Sequence, residues 1–160
     1  KDVVRFTMLT RKADAQMDFD FAKVVEASKD NPVFYVQYAH ARICSTLRKA
    51  EAEEGFAPSI DHIALLGTEE MALIRDAANF PRIVEAAAKA GEPHRIAFFL
   101  GDLAAAFHAY WNLGNDQPDK RFILAQSPEL SAARLSLAAN IGQVIRNGLR
   151  LMGVEAATQM

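Results

Sequence analysis

An all-α helical bundle is the fold class this sequence predicts, and three observations predict it. Helix-start signals recur, as in Asn31-Pro32 and Ser127-Pro128-Glu129; apolar residues return at spacings of three and four; and two-residue alternation is nearly absent. Spacings of three and four line up side chains on one helix face, which has to be buried against another element. Helices packed on one another meet that demand without a sheet.

Asp2 caps a short first element through Leu9. RKADAQMDFDFAKVVEASKD then reads as a polar turn leading into an amphipathic helix that carries Phe21, Val24 and Val25. Asn31 before Pro32 sets a capping side chain ahead of a residue whose fixed φ suits the first helical turn. The stripe Val36, Ala39, Ile43 and Leu47 carries that helix to about Gly55. A short apolar piece from Ile63 to Leu66 stops at Gly67. Thr68 is the expected cap of the next helix, with Glu69 and Glu70 at its positive dipole end. Phe80-Pro81 interrupts that helix and restarts one through Ala90.

Pro93 opens PHRIAFFLGDLAAAFHAYWNLG, in which Ile96, Phe99, Leu100, Leu103 and Phe107 keep helical spacing, and NDQPDK is the expected exit loop. The last helix starts at Ser127, Pro128 and Glu129 and carries Leu135, Leu137, Ile141, Val144, Ile145, Leu149 and Leu151. A left-handed Gly153 is expected to end it, leaving VEAATQM as a non-helical tail.

A chain of 160 residues forms one compact domain with a self-sufficient core, burying roughly 70% of its unfolded surface. The single cysteine, Cys44, excludes an internal disulfide and fits a reducing compartment, so the cytoplasm is the expected location. No apolar run approaches the ~20 residues of a membrane span, and the N-terminus lacks the order of a secretory signal. A soluble protein without a membrane partner is expected. The chain starts at Lys1 and runs at once into VVRFTML, which reads as a piece cut from something longer.

The net charge of −2 conceals an uneven distribution. Residues 1–50 carry nine Lys/Arg against six Asp/Glu, residues 51–90 three against eight, and residues 91–160 six of each. An anionic partner is therefore expected to meet the first and last parts, with the acidic middle turned away.

Candidate chemistry is sparse. His40 and Cys44 lie four apart on one helix face, as a base and a nucleophile would, but no orienting group or oxyanion nest accompanies them. A packed thiol beside a polar helix residue is the stronger reading. Asp14, Asp18 and Asp20 cluster without the glycine and distal glutamate of a calcium loop, which favours turn and cap roles. His62 and His94 read as loop and helix-start residues, no histidine pair has metal spacing, and there is no glycine-rich phosphate loop. The chain reads as having no catalytic residues and no metal or cofactor site of its own.

What stands out is aromatic residues beside basic ones. Phe34, Tyr35 and Tyr38 share a helix with Arg42, and Phe107, Tyr110 and Trp111 end another. Tyr35, Tyr38 and Arg42 form a stripe partly distinct from Val36, Ala39 and Ile43. The residues alone leave two readings open: stacking on unpaired bases, or aromatic core packing.

NPVFYVQYAHARICS resembles the opening helix of the anticodon-binding domain of arginyl-tRNA synthetases, a class I family. DVVRFTMLTRKADAQMDFDFAKVVEASKDNP resembles the connection that follows the KMSK-type loop in that family. FHAYW resembles its aromatic turn, and ARLSLAANIGQVIRNGLRLMGVEAATQM its C-terminal helix and methionine tail, so the likeness covers practically the whole chain. The family more often has Pro at the position of Ala157 and Arg at that of Gln159, and often Asn and a second Tyr where His108 and Trp111 stand.

The resemblance implies residues 1–30 as a connecting, stem-contacting segment and residues 31–160 as the helical anticodon-binding domain. It implies a parent enzyme that joins arginine to tRNA(Arg) using ATP with Mg, with its HIGH and KMSK-type motifs upstream of Lys1, so that this chain binds RNA without turnover. Its partners would be the anticodon stem-loop, with the middle cytosine of the anticodon recognised, and the upstream catalytic domain, in a parent that is usually monomeric. Carried over to this sequence, Tyr35 and Tyr38 would be stacking platforms and Arg42 a phosphate or base-edge contact. Phe107, Tyr110 and Trp111 would form a second aromatic site, and Met160 would close over the loop. The rival readings are a helical protein-interaction module and the equivalent domain of another class I synthetase, such as the cysteinyl enzyme; salt dependence separates the first and RNA identity the second.

Overall fold

A computed structural model describes residues 2–10 and 31–160. The expected amphipathic helix with Phe21, Val24 and Val25 and the cluster Asp14, Asp18 and Asp20 lie outside the described residues. Within them, six α-helices follow in order: α1 (Asp2–Leu9), α2 (Pro32–Lys49), α3 (Thr68–Ala78), α4 (Phe80–Ala90), α5 (His94–Asp116) and α6 (Pro128–Leu151). The described residues contain no strand, as the absence of alternation predicts.

Several expected boundaries hold and several shift. Asn31 precedes Pro32 at the start of α2 in extended backbone, but its side chain makes no capping hydrogen bond to the helix. The α-helical hydrogen bonding of α2 ends at Lys49 and gives way to a π-helical turn, Ala50–Glu54, before Gly55. The cap of α3 is Gly67 rather than Thr68: its N–H donates to the Glu70 carboxylate at 3.0 Å, so the acid closes the first turn from within. Helix α5 runs two residues into the expected NDQPDK loop. Ser127 makes no side-chain cap to α6, whose start rests on Pro128 in the first turn. Gly153 takes the left-handed conformation at φ 65°, which non-glycine residues adopt only with strain.

The core lies where α2, α5 and α6 meet. Val33, Val36, Ala39 and Ile43 from α2 pack with Leu100, Leu103, Ala104 and Phe107 from α5 and with Leu137, Ala138, Ile141, Ile145 and Leu149 from α6. Burying each large aliphatic side chain contributes about 1.5–3 kcal/mol. Helices α5 and α6 approach closely because residue 148 is glycine: a Cβ there would stand 2.7 Å from Leu100 Cδ2. Helix α1 adds Phe6 against α2 and α5, while α3 packs on α5 and α6, and α4 on α5. The expected apolar piece before α3 is only partly seated, since Ile63 and Leu65 are exposed and Leu66 is buried.

A buried polar network ties α3, α5 and α6 together. Arg134 Nε donates to Glu70 Oε1 at 2.9 Å, with Nη2 2.8 Å from the same oxygen. The Tyr110 hydroxyl donates to Oε1 at 2.6 Å. Arg134 Nη1 donates to the carbonyls of Asp119 and Arg121, so the guanidinium is satisfied on both edges. Burial opposes the charge on Glu70, yet the donors from Tyr110, its own backbone and Arg134 outweigh it and hold its carboxyl below the usual range. Burial and the bond to Glu70 push the Tyr110 hydroxyl far above its ordinary value.

Candidate nucleic-acid interface

Helices α2 and α5 pack side by side, and where they do, the fold assembles one aromatic and cationic cluster. Successive positions along the exposed edge of α2 bring Tyr38 and Arg42 one turn apart. Arg42 Nη2 donates to the Tyr38 hydroxyl at 2.5 Å. From α5, Trp111 and His108 reach the same guanidinium: Arg42 Cζ lies 4.5 Å from the Tyr38 ring centroid and 4.9 Å from that of Trp111. These are cation–π distances. Arg42 Nη1 lies 3.1 Å from His108 Nδ1.

The imidazole of His108 is itself enclosed by rings, with Tyr35 at 4.7 Å and Tyr38 at 5.4 Å between centroids. Phe34 stacks nearly parallel on Tyr38, extending the aromatic surface by one ring. Burial and the Arg42 charge lower the basicity of His108, against an opposing contribution from the Tyr35 backbone. Among the described residues no carboxylate pairs with Arg42 to neutralise its charge.

The structure sorts the sequence candidates into two groups. Tyr38 is 36% exposed, and Tyr35, Arg42 and Trp111 are half-buried, so each presents an edge or face outward. Phe107 and Tyr110 are instead core residues, 0% and 3% exposed. The expected second platform of Tyr110 with Trp111 is therefore corrected: Tyr110 is committed to Glu70 and Phe122, and it is Trp111, with His108, that reaches the cluster from that helix end. The physical reason is the period of α5: Phe107 lies at the centre of the inner face, and 110 and 111, about 100° apart, flank it on opposite sides, 111 toward α2 while its ring still packs on Phe107 and Phe122.

Met160 is exposed and ends a tail that runs along a neighbouring stripe of α2. Gln37 Nε2 donates to the Glu155 carbonyl at 2.8 Å, His40 Nδ1 lies 2.8 Å from the Ala157 carbonyl, and Arg48 Nη2 donates to the Thr158 carbonyl at 3.2 Å. Because a carbonyl only accepts, His40 carries its proton on Nδ1. Cys44 Sγ is 3.7 Å from that nitrogen, and burial lowers the His40 pKa, against the Ala157 bond. His40 therefore anchors the tail, with the half-buried Cys44 thiol beside it.

Two residues of importance were not singled out as site or network members by sequence. His108 was noted in FHAYW only as a departure from the family's usual Asn, although it lies three residues before Trp111 and so shares its face. Glu70 read as a dipole acid; its burial depends on Arg134, distant in sequence, and no local signal marks it. Among the described residues no group of His, Cys, Asp and Glu is placed to hold a metal ion.

A family model described as the DALR anticodon binding domain matches residues 36–160. That match defines the class, a helical anticodon-binding domain, in keeping with the bundle. The chain belongs to the DALR anticodon-binding domain family.

Among curated proteins it is similar to the arginine–tRNA ligase of Novosphingobium aromaticivorans, 74% identical over 160 residues, covering 100% of this chain and 27% of that protein. The arginine–tRNA ligase of Rhodospirillum rubrum is 51% identical over 168 residues, covering 100% of this chain and 28% of that protein. The chain thus spans little more than a quarter of the length of these relatives. Of solved structures, Thermus thermophilus arginyl-tRNA synthetase superposes with a TM-score of 0.82 at 35% identity, over 99% of this chain and 26% of that one. The arginyl-tRNA synthetase from Plasmodium falciparum, at 20% identity and a TM-score of 0.80 over 99% of this chain and 26% of that one, shares the fold.

Proposed function

We propose that this chain is the anticodon-reading part of an arginine–tRNA ligase and grips the anticodon stem-loop of tRNA(Arg). The observation that carries the reading is the guanidinium of Arg42, without a carboxylate partner among the described residues, lying over Tyr38 and Trp111 in a chain of an anticodon-binding family. Anticodon bases are single-stranded and can be splayed apart, so partly exposed rings can stack on them while a cation meets a phosphate or base edge. Tyr35, Tyr38 and Trp111 are the stacking surfaces, Arg42 is the cation, and Met160 closes from the tail. Residues 1–30 connect this domain to a catalytic part that uses ATP with Mg, in a cytoplasmic and monomeric enzyme. Among the described residues no helix is long and apolar enough to cross a membrane.

Fluorescence anisotropy of a labelled arginine anticodon stem-loop tests this, beside a loop with its middle anticodon cytosine replaced, at two salt concentrations. Salt-sensitive binding that is lost with the single base is expected. Equal binding of both loops would remove anticodon reading. Salt-insensitive behaviour would favour a protein-interaction surface, and preference for another tRNA's loop a different class I synthetase.

A further inference from the structure

We propose that His108 is the positioning residue that holds Arg42 in its RNA-facing pose, by keeping a lone pair on Nδ1 to accept from the guanidinium. The proposal rests on the anticodon-reading role given to Arg42 above and assigns the control of that contact to a group on another helix.

Arginine has five N–H donors and no acceptor, so the 3.1 Å contact between Arg42 Nη1 and His108 Nδ1 requires an imidazole unprotonated at Nδ1. A second N–H of the same fork goes to the Tyr38 hydroxyl. With those two bonds made and the guanidinium seated over the Tyr38 and Trp111 rings, the fork is fixed in plane and orientation. The three remaining N–H groups are available to a phosphate or a base edge. Without the His108 bond, the one directional contact left to Arg42 is the Tyr38 hydroxyl on its own helix, beside the two ring faces.

Protonation would reverse the contact. An imidazolium presents N–H at Nδ1, so donor would face donor and two cations would meet. The groups facing His108 are Tyr35, Tyr38 and Arg42 from α2 and Phe107 on its own helix; of these only Arg42 is charged. No carboxylate stands among them to stabilise an imidazolium. His108 is 6% exposed and its Nε2 lacks a hydrogen bond of good geometry, which leaves the ring held by packing and by Arg42. Its lowered basicity agrees with a neutral acceptor near neutral pH. The contact to RNA should therefore weaken as acidification charges this one side chain.

Two variants and two readouts decide the matter. His108→Asn puts an amide oxygen near the place of Nδ1 and cannot titrate; His108→Phe keeps the ring and removes the acceptor. In the anisotropy titration, wild-type affinity is expected to fall as the pH drops from about 7.5 through the range below the ordinary imidazole value of 6.5, by less than about tenfold at about pH 5.5. His108→Phe is expected to bind about tenfold more weakly at the higher pH. His108→Asn should keep the affinity and lose the pH step. Wild-type affinity in His108→Phe, or an undiminished pH step in His108→Asn, would overturn the proposal.

The second readout needs no RNA. Ring-nitrogen NMR of the free protein should show His108 neutral with its proton on Nε2, titrating at higher pH in Arg42→Ala. A proton on Nδ1, or a titration indifferent to Arg42, would overturn the clamp by itself. If the wild type binds both stem-loops equally at every pH, the anticodon reading fails, while NMR still decides whether His108 holds Arg42.

Discussion

Arg42 and Arg134 are both held by a tyrosine-containing cluster, yet they are put to opposite uses. Arg134 is 4% exposed and meets a carboxylate, two carbonyls and, through Glu70, the Tyr110 hydroxyl. Its charge is neutralised and its fork is filled. Arg42 is half-buried and meets a phenol, an imidazole and two ring faces, none of which carries negative charge. Aromatic faces orient a cation without cancelling it. Residue type therefore does not separate a structural arginine from one available to an anion; the acceptor set and the burial around it do.

Removing the acid of the buried cluster is the most severe way to break the contrast. Glu70→Ala leaves Arg134 charged and unpaired inside the protein, and a loss of about 3–5 kcal/mol in urea unfolding is expected; a change below about 1 kcal/mol would mean that Arg134 finds water instead. Next comes Tyr110→Phe, which keeps the ring and deletes the donor to Glu70. It should cost about 1.5–3 kcal/mol of stability and leave RNA affinity at the wild-type value once folded, whereas a selective loss of RNA binding would return Tyr110 to the interface.

Arg42→Ala sharpens the other side. Stability should change by less than about 1 kcal/mol, while affinity for the arginine stem-loop drops about tenfold and the salt slope falls by about one. An unchanged salt slope would show that Arg42 meets no phosphate.

The smallest effect is the pH dependence of folding. Folding lowers the pKa of His40 and of His108, chiefly by burial, so the unfolded chain binds more protons and stability is complete above the ordinary imidazole value of 6.5. It declines as pH falls through the folded values. Glu70, also lowered, adds a second loss below its ordinary 4.5. The urea midpoint should therefore step down twice on acidification, and Glu70→Gln should shrink the lower step, leaving only the smaller share of the exposed Glu69, whose carboxyl is also lowered.

Helix existence and type were legible wherever a proline start and an apolar stripe coincide, as in α2 and α6, because both signals act within a few residues. Cap identity was not. Gly67 replaces Thr68 because the Glu70 carboxylate, held in place by Arg134 and Tyr110, is already beside the Gly67 N–H. In the same way Tyr35, Tyr38, Arg42 and Trp111 were legible as polar-tipped aromatics and a cation on helices, but Tyr110 was not separable from Trp111. One residue step on α5 turns a side chain by about 100°, and only the neighbours decide which direction is inside.

By itself the sequence determined the helical class, the places where helices begin, and the aromatic and basic composition of α2 and the end of α5. Those properties follow from spacing, φ preference and side-chain chemistry, all local along the chain. The tertiary structure alone decided that Arg42 meets His108 and Trp111, that Glu70 neutralises Arg134, and that the tail from Glu155 to Thr158 is pinned by Gln37, His40 and Arg48. Each of these joins residues 64 to 118 positions apart, a separation over which periodicity carries no information and only packing sets which donor finds which acceptor.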